Sequence, residues 1–382
     1  MIYLDYAAST PMRDEALEAY VQTAKVAYAN ESSLHDAGTY AEDVLQACRQ
    51  QLASSIHGKA EGVYFTNSGS EANILTVQSL LKGNKQKGKH IVTTEIEHAS
   101  LHHLWKQLKA GGYEITYVDV NEEGLVTLDA LKDVIREDTV LAAIHHGNPE
   151  IGVLQDIEEI GVYLAEKKVL FHIDAVQTYG ERVIDVESAH IDSMAVSAHK
   201  LYGPKGCGFA YIRPEVRWLP VIEGATHERG FRPGTVDVPA IAAFAVASHH
   251  AFVEQVEREE HFRELREVLI RDLQNIPLCT IVAGKTENQL PQIVGMLISQ
   301  MEGQYTLLEC NRRGIAISTG SACQVNEQDP SRSMLALGYS HDEARQFIRI
   351  SFGKDTTISD VKAFTKAIGE MTNNKKAALV ED

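Results

Sequence analysis

Residues 193–213 read SMAVSAHKLYGPKGCGFAYIR, and their pattern decides the fold. Two short apolar runs, SMAVSA (193–198) and CGFAYIR (207–213), have the length of strands and are separated by a turn of glycine and proline. Between them stands Lys200. Most lysines are solvated surface charges, and that is the plain reading of this one. A long cation emerging from an apolar strand is nevertheless costly unless its pKa falls. A lysine held there can act as an amine that bonds to an aldehyde.

Working outward, the same kind of run recurs as GVYFT (62–66), HIVTTE (90–95), YEITYVD (113–119), TVLAAIHH (139–146) and VLFHIDA (169–175). Helical patterns separate several of them. In EEIGVYLAEKK (158–168), Ile160, Tyr163 and Leu164 share one face. Strands alternating with helices predict an α/β fold whose mainly parallel sheet is covered on both faces. Ligands then bind at the carboxyl ends of the strands. After about residue 240 the pattern changes. A long helical stretch (239–274) leads to strands TIVAG (280–284), IVGMLIS (293–299), IAIST (315–319) and FIRISF (347–352), which predict a smaller α+β domain closing over the first.

Composition narrows the function. With 382 residues, 44% apolar and 23% charged, the chain has room for two domains and a sizeable core. A formal net charge of −17 without a lysine or arginine cluster argues against nucleic acid as a direct partner. No apolar run reaches membrane-spanning length, and MIYLDYAAST has no signal-peptide pattern. The five cysteines are odd in number, scattered and without a CxxC pair. That disfavours a disulfide framework or a zinc site and fits a reducing cytoplasm.

Several strand ends carry chemistry. FHIDAVQTYG (171–180) places Asp174 where a strand meets its loop. Asp174 is either a helix cap or the carboxylate that keeps a pyridinium nitrogen protonated, and Gln177 is within reach of a ring oxygen. TNSGSEANI (66–74) runs through Ser68, Gly69 and Ser70 into a helix, as an anion site or an ordinary cap would. His98 follows a strand and can stack its imidazole on an aromatic ring. Arg349, inside an apolar strand, calls for a carboxylate. Cys323, in ISTGSACQ (317–324), lacks the large apolar neighbours of a core thiol. One ligand satisfies the set: an aromatic aldehyde with a phosphate and a basic ring nitrogen, pyridoxal 5′-phosphate, acting on an amino acid.

The same residues resemble a family. YLDYAAST (3–10), FTNSGSEAN (65–73), TEIEHAS (94–100), FHIDAVQ (171–177), SAHKLYGPKG (197–206), HERGFRPGT (227–235), STGSAC (318–323) and IRISFG (348–353) have the order and approximate spacing found in cysteine desulfurases, fold-type I pyridoxal-phosphate transferases. The resemblance implies a mainly parallel seven-stranded sheet in a large domain (13–245), a smaller α+β domain (1–12 and 246–382) carrying the cysteine loop, and a homodimer. By motif it puts the cofactor-linking lysine on Lys200, the pyridinium partner on Asp174, the stacking histidine on His98 and the ring-hydroxyl contact on Gln177. Gly69, Ser70, Ser197 and His199 match phosphate-site positions, and Thr235 matches a phosphate contact from the other subunit. Arg349 matches the substrate-carboxylate anchor and Cys323 the nucleophile. The nine residues CQVNEQDPS (323–331) resemble the longer loop of the group I, nitrogen-fixation and iron–sulfur-cluster type.

The implied reaction converts L-cysteine to L-alanine, with a persulfide formed on Cys323 and passed to an acceptor protein for iron–sulfur-cluster or thio-cofactor assembly. The same site would serve a selenocysteine lyase, with less need of a protein thiol. Two departures stand out. ANESS (29–33) has Glu31 where the pattern has proline, and HHGNPEIG (145–152) has Pro149 where many members carry an asparagine on the cofactor's ring oxygen. Asn148 is expected to turn inward to the site in its place. Pro149 is also what motivates a third reading, a catalytically impaired sulfur-carrier subunit.

Overall fold

The computed structural model describes residues 1–283, 287–320 and 330–381. In chain order its first strands are β1 (Ile2–Tyr3), β2 (Val63–Thr66), β3 (His90–Thr93), β4 (Glu114–Tyr117), β5 (Thr139–His145) and β6 (Leu170–Asp174). They are followed by β7 (Ser193–Ser197), β8 (Gly208–Ile212), β9 (Cys279–Val282), β10 (Ile293–Ile298), β11 (Ile315–Ala316) and β12 (Phe347–Ser351).

Seven of these make the principal sheet, in the order β2-β8-β7-β6-β5-β3-β4. Strands β7, β6, β5, β3 and β4 run parallel, and β8 runs antiparallel to both its neighbours. Side-chain alternation explains why the strands read as continuous apolar runs. Along β5, Ala142 and Ile144 enter one apolar cluster while Leu141 and Ala143 enter another on the opposite face. Helices Gly69–Gly83 and Ala99–Ala110 cover the second face, and Asp36–Ser54, Ile157–Glu166 and Val238–Val253 the first.

Strands β12, β10 and β9 form an antiparallel three-stranded sheet, and β1 pairs parallel with β11. Their own apolar cluster joins Leu4 to residues between Phe262 and Met371, so both ends of the chain share it. The helical stretch at 239–274 is two helices, Val238–Val253 and Gln255–Leu273, divided at Glu254. The first is apolar and largely buried up to Ser248; the second turns charged residues to solvent. The Glu254 carboxylate at the break accepts from Arg13 Nη2 at 2.8 Å.

Candidate active site

Three neighbouring parallel strands bring the chemistry together. His145 of β5 lies in register with Asp174 of β6, and Asp174 with Ala195 of β7. A short turn, Ala198–Lys200, follows β7 and swings Lys200 over the same sheet end. There a cavity of about 370 Å³ is lined by Gly69, Ser70, His98, Asp174, Gln177, Ser197, His199, Lys200 and Arg349. Asn148 and Thr235 are not among its lining residues. Cys323 lies outside the described residues, but Gly320 before it and Ser331, Arg332 and Ser333 after it all line the cavity.

Lys200 Nζ donates to the carbonyls of Ala7 and Ala8, the latter at 3.0 Å, so the N-terminal segment supplies the dipoles its cation needs. The Gln177 side-chain amide donates to Ala7 as well, at 3.0 Å. Asp174 is held at both oxygens. Oδ1 accepts the Val176 amide at 3.0 Å, and Oδ2 accepts Asn73 Nδ2 at 2.7 Å. Asn73 Oδ1 lies 2.9 Å from His172 Nε2, and His172 Nδ1 lies 2.9 Å from Ser193 Oγ. Burial lowers His172 to about 4, leaving a neutral ring that donates from Nε2 to the asparagine and accepts from the serine.

At the other end, Ser68 caps helix Gly69–Gly83, its hydroxyl accepting the Glu71 amide. The amides of Gly69 and Ser70 stand outside the helix's own bonding ladder and face the cavity end of its dipole. A Cβ on Gly69 would sit 2.5 Å from Val176 Cγ2, so glycine is what lets the helix end approach. Ser197 Oγ is buried beside it with no hydrogen-bond partner among the described residues. His199 is pushed down to about 4 by burial and by the cations of Lys200 and Lys205, and its Nδ1 is 3.3 Å from Ser9 Oγ.

Arg349 closes the cavity from β12. Nη2 donates to Asp5 at 2.6 Å and Nη1 to the Pro149 carbonyl at 2.9 Å, while buried Nε lacks a partner among the described residues. The carboxylate that the sequence demanded is thus supplied in part by Asp5. His98 caps helix Ala99–Ala110, its Nδ1 accepting the Ser100 amide. Asn148 takes a different place from the one expected. It is fully buried, donating to the Ile96 carbonyl and accepting the amides of Glu150 and Ile151 at 2.8 and 2.9 Å. Its side chain shapes the turn after β5. Thr235 is exposed, between Phe231 and the helix starting at Val238.

A family model described as aminotransferase class-V matches residues 2–364. The chain belongs to the class-V aminotransferase family. It is 44% identical to a putative cysteine desulfurase NifS of Bacillus subtilis (strain 168), with 98% of this chain and 96% of the relative covered. Among solved structures it is similar to a NifS-like protein, with a TM-score of 0.90 at 31% identity, covering 97% of this chain and 98% of that one. A second solved chain, SspA in complex with cysteine, matches with a TM-score of 0.82 at 30% identity over 92% of this chain and 99% of its own.

Class-V enzymes of this kind depend on pyridoxal 5′-phosphate, and the cavity suits that cofactor. The Ser197 hydroxyl, without a partner among the described residues, and the Gly69 helix end would together suit phosphate oxygens. Asp174 presents a doubly braced carboxylate that would suit a ring nitrogen, and Lys200 an amine that would suit the aldehyde. Sequence reading missed Asn73, His172 and the pair His145–Glu97. A faint signal existed for Asn73: a poor helix former inside the buried part of an otherwise helical TNSGSEANI.

Proposed function

We propose that the protein is a cysteine desulfurase that converts L-cysteine to L-alanine and collects the sulfur as a persulfide on Cys323. The observation that carries this reading is the arrangement of Lys200, Asp174 and Arg349 around one cavity. The 44% identical NifS relative supports the choice of cysteine over other amino acids.

Each residue has a task that its surroundings suit. Pyridoxal phosphate, when bound, supplies a sink for electrons released at the substrate's α-carbon. Asp174, braced by Asn73 and Val176, keeps the proton on the ring nitrogen. Arg349 binds the substrate carboxylate with its planar fork, which fixes the α-carbon near Lys200. Lys200 carries the α-proton, its amine oriented by the Ala7 and Ala8 carbonyls. His98, which lines the cavity, would stack on the ring and pass protons on the substrate side. The Cys323 thiolate attacks the substrate sulfur; an S–S bond forms as the carbon–sulfur bond breaks, and the bonding pair stays with carbon.

The wider reading is a cytosolic group I homodimer. Thr235, exposed away from its own cavity, is suited to a phosphate on the other subunit. A division into 13–245 against 1–12 with 246–382 is supported by the apolar cluster that both chain ends share. Cys48, Cys207, Cys279 and Cys310 are free thiols, as a reducing compartment keeps them. The persulfide would pass to an acceptor protein for iron–sulfur-cluster or thio-cofactor assembly.

The test is alanine formation from cysteine by purified protein with added pyridoxal phosphate. Turnover that disappears in Cys323→Ala supports the proposal. No alanine from the wild-type protein overturns it, and a Cys323→Ala variant that retains selenocysteine turnover identifies a selenocysteine lyase.

A further inference from the structure

His145 and Glu97 form a buried pair that the reaction as outlined leaves without a task. His145 closes β5, in register with Asp174 on the adjacent strand, and lines the cavity. Its Nδ1 lies 3.0 Å from Glu97 Oε1, and its backbone amide donates to the same oxygen at 3.1 Å. Thr94 donates its hydroxyl there as well, at 2.7 Å. The two side chains are 2% and 0% exposed. Burial alone would raise the Glu97 carboxyl, but His145 and Thr94 together hold it below its ordinary value, so it is ionised. The imidazole therefore donates its Nδ1 hydrogen to the Glu97 carboxylate, and a second hydrogen on Nε2 would lie between that carboxylate and an anion in the cavity. Its Nε2 is buried and has no hydrogen-bond partner among the described residues.

The topology says which part of a cofactor this nitrogen meets. In pyridoxal phosphate the ring nitrogen and the aldehyde carbon lie opposite each other. The phosphate arm and the ring oxygen occupy the two edges between them. Asp174 on β6 takes the nitrogen, and the phosphate cradle of Ser197 and Gly69 lies on the β7 side. The oxygen-bearing edge then faces β5, the other neighbour of β6 in the sheet. That oxygen is anionic and accepts donors. Pro149, nearby after β5, has no amide hydrogen and turns its carbonyl to Arg349. Gln177 already donates to Ala7.

We propose that His145, braced by Glu97, donates from Nε2 to the ring oxygen of bound pyridoxal phosphate and supplies the donor that Pro149 lacks. The inference rests on the cofactor reading above. A donor here steadies the anionic oxygen and weakens the hold of the oxygen and the lysine-linked nitrogen on their shared proton. The other ionisable groups facing the cavity are Asp174 on β6, His199 and Lys200 after β7, Glu150 after β5, Arg332 at the start of helix Arg332–Ala336, Arg349 on β12, and His98 and His102 at helix Ala99–Ala110. All of them remain when His145 is replaced.

The experiment titrates the visible absorption band of the holoenzyme against pH. His145→Leu raises the midpoint by about 0.5–1 unit, a three- to tenfold gain in proton affinity. His145→Gln keeps an N–H donor near the position of Nε2 and returns the midpoint toward wild type. A Leu variant that titrates as wild type does, or a Gln variant displaced as far as Leu, overturns the inference. Wild-type protein that shows no band with pyridoxal phosphate refutes the cofactor reading instead. Should His145→Leu fold without cofactor, nitrogen NMR of histidine-labelled wild-type holoenzyme decides, with His145→Gln assigning the signal. A protonated Nε2 supports the assignment and a bare Nε2 overturns it.

Discussion

Asn73 Nδ2 reaches Asp174 Oδ2 at 2.7 Å, joining helix Gly69–Gly83 to the carboxylate at the end of β6. One side chain therefore ties together the two ends of the proposed cofactor site. Asn73→Leu leaves the buried carboxylate with the Val176 amide alone. A hydrogen bond to a charged group contributes about 1.5–3 kcal/mol, so cofactor affinity falls by about tenfold or more. Equilibrium dialysis of pyridoxal phosphate measures it; unchanged retention would show that Asp174 needs no second donor.

Gly69→Ala acts at the opposite end. The added methyl meets Val176 Cγ2 at 2.5 Å and Ser197 Cβ at 3.3 Å, so the helix end moves off the cradle. The expected outcome is release of cofactor on gel filtration with far-UV circular dichroism unchanged.

Arg349→Lys replaces a planar fork with a point charge. The lysine still answers Asp5 but grips a substrate carboxylate less well, raising KM for cysteine about 10- to 100-fold while the cofactor band persists. Steady-state alanine formation reads this out. An unaltered KM would move the carboxylate contact to another residue.

Acid stability follows from histidines buried in neutral form. His172 and His146 are held at about 4 and about 3, chiefly by burial, against 6.5 in the unfolded chain. Between pH 6.5 and about 4 the unfolded state binds their protons and the native state does not. Stability is thus complete above 6.5 and falls as the pH drops through this window, by about 1.4 kcal/mol per pH unit for each such group. Urea melts from pH 7 to 4.5 test it, and His172→Gln should flatten the slope.

The strands of the principal sheet were legible because buried parallel strands read as uninterrupted apolar runs between breakers. Candidate residues such as Asp174 and Lys200 stood out because α/β sheets expose ligands at strand ends. Strand β1 escaped notice: two residues carry no periodicity, and its partner β11 lies at the other end of the chain. The link from Asn73 to Asp174 spans 101 positions, which no local pattern records. Asn148 misled for a different reason. The sequence shows an amide beside the site, whereas the fold aims it at two backbone amides of its own turn and at the Ile96 carbonyl after β3.

The N-terminal segment is stitched to the last strand of the small sheet. Ser351 donates its amide to Leu4, the Ala7 amide donates to the Ser351 hydroxyl, and Asp5 holds Arg349. Asp5 and Arg349 lie 344 positions apart, so Asp5 leaves the ribosome well before Arg349 is made. Since domains form as they emerge, the sheet bearing Lys200 can fold while the segment beside it still waits for its partner. A chain released before β12 would carry the Lys200 amine without the arginine proposed to seat a substrate. On the proposed roles, competence for chemistry is coupled to synthesis through β12, and chains that stop before Arg349 are inactive.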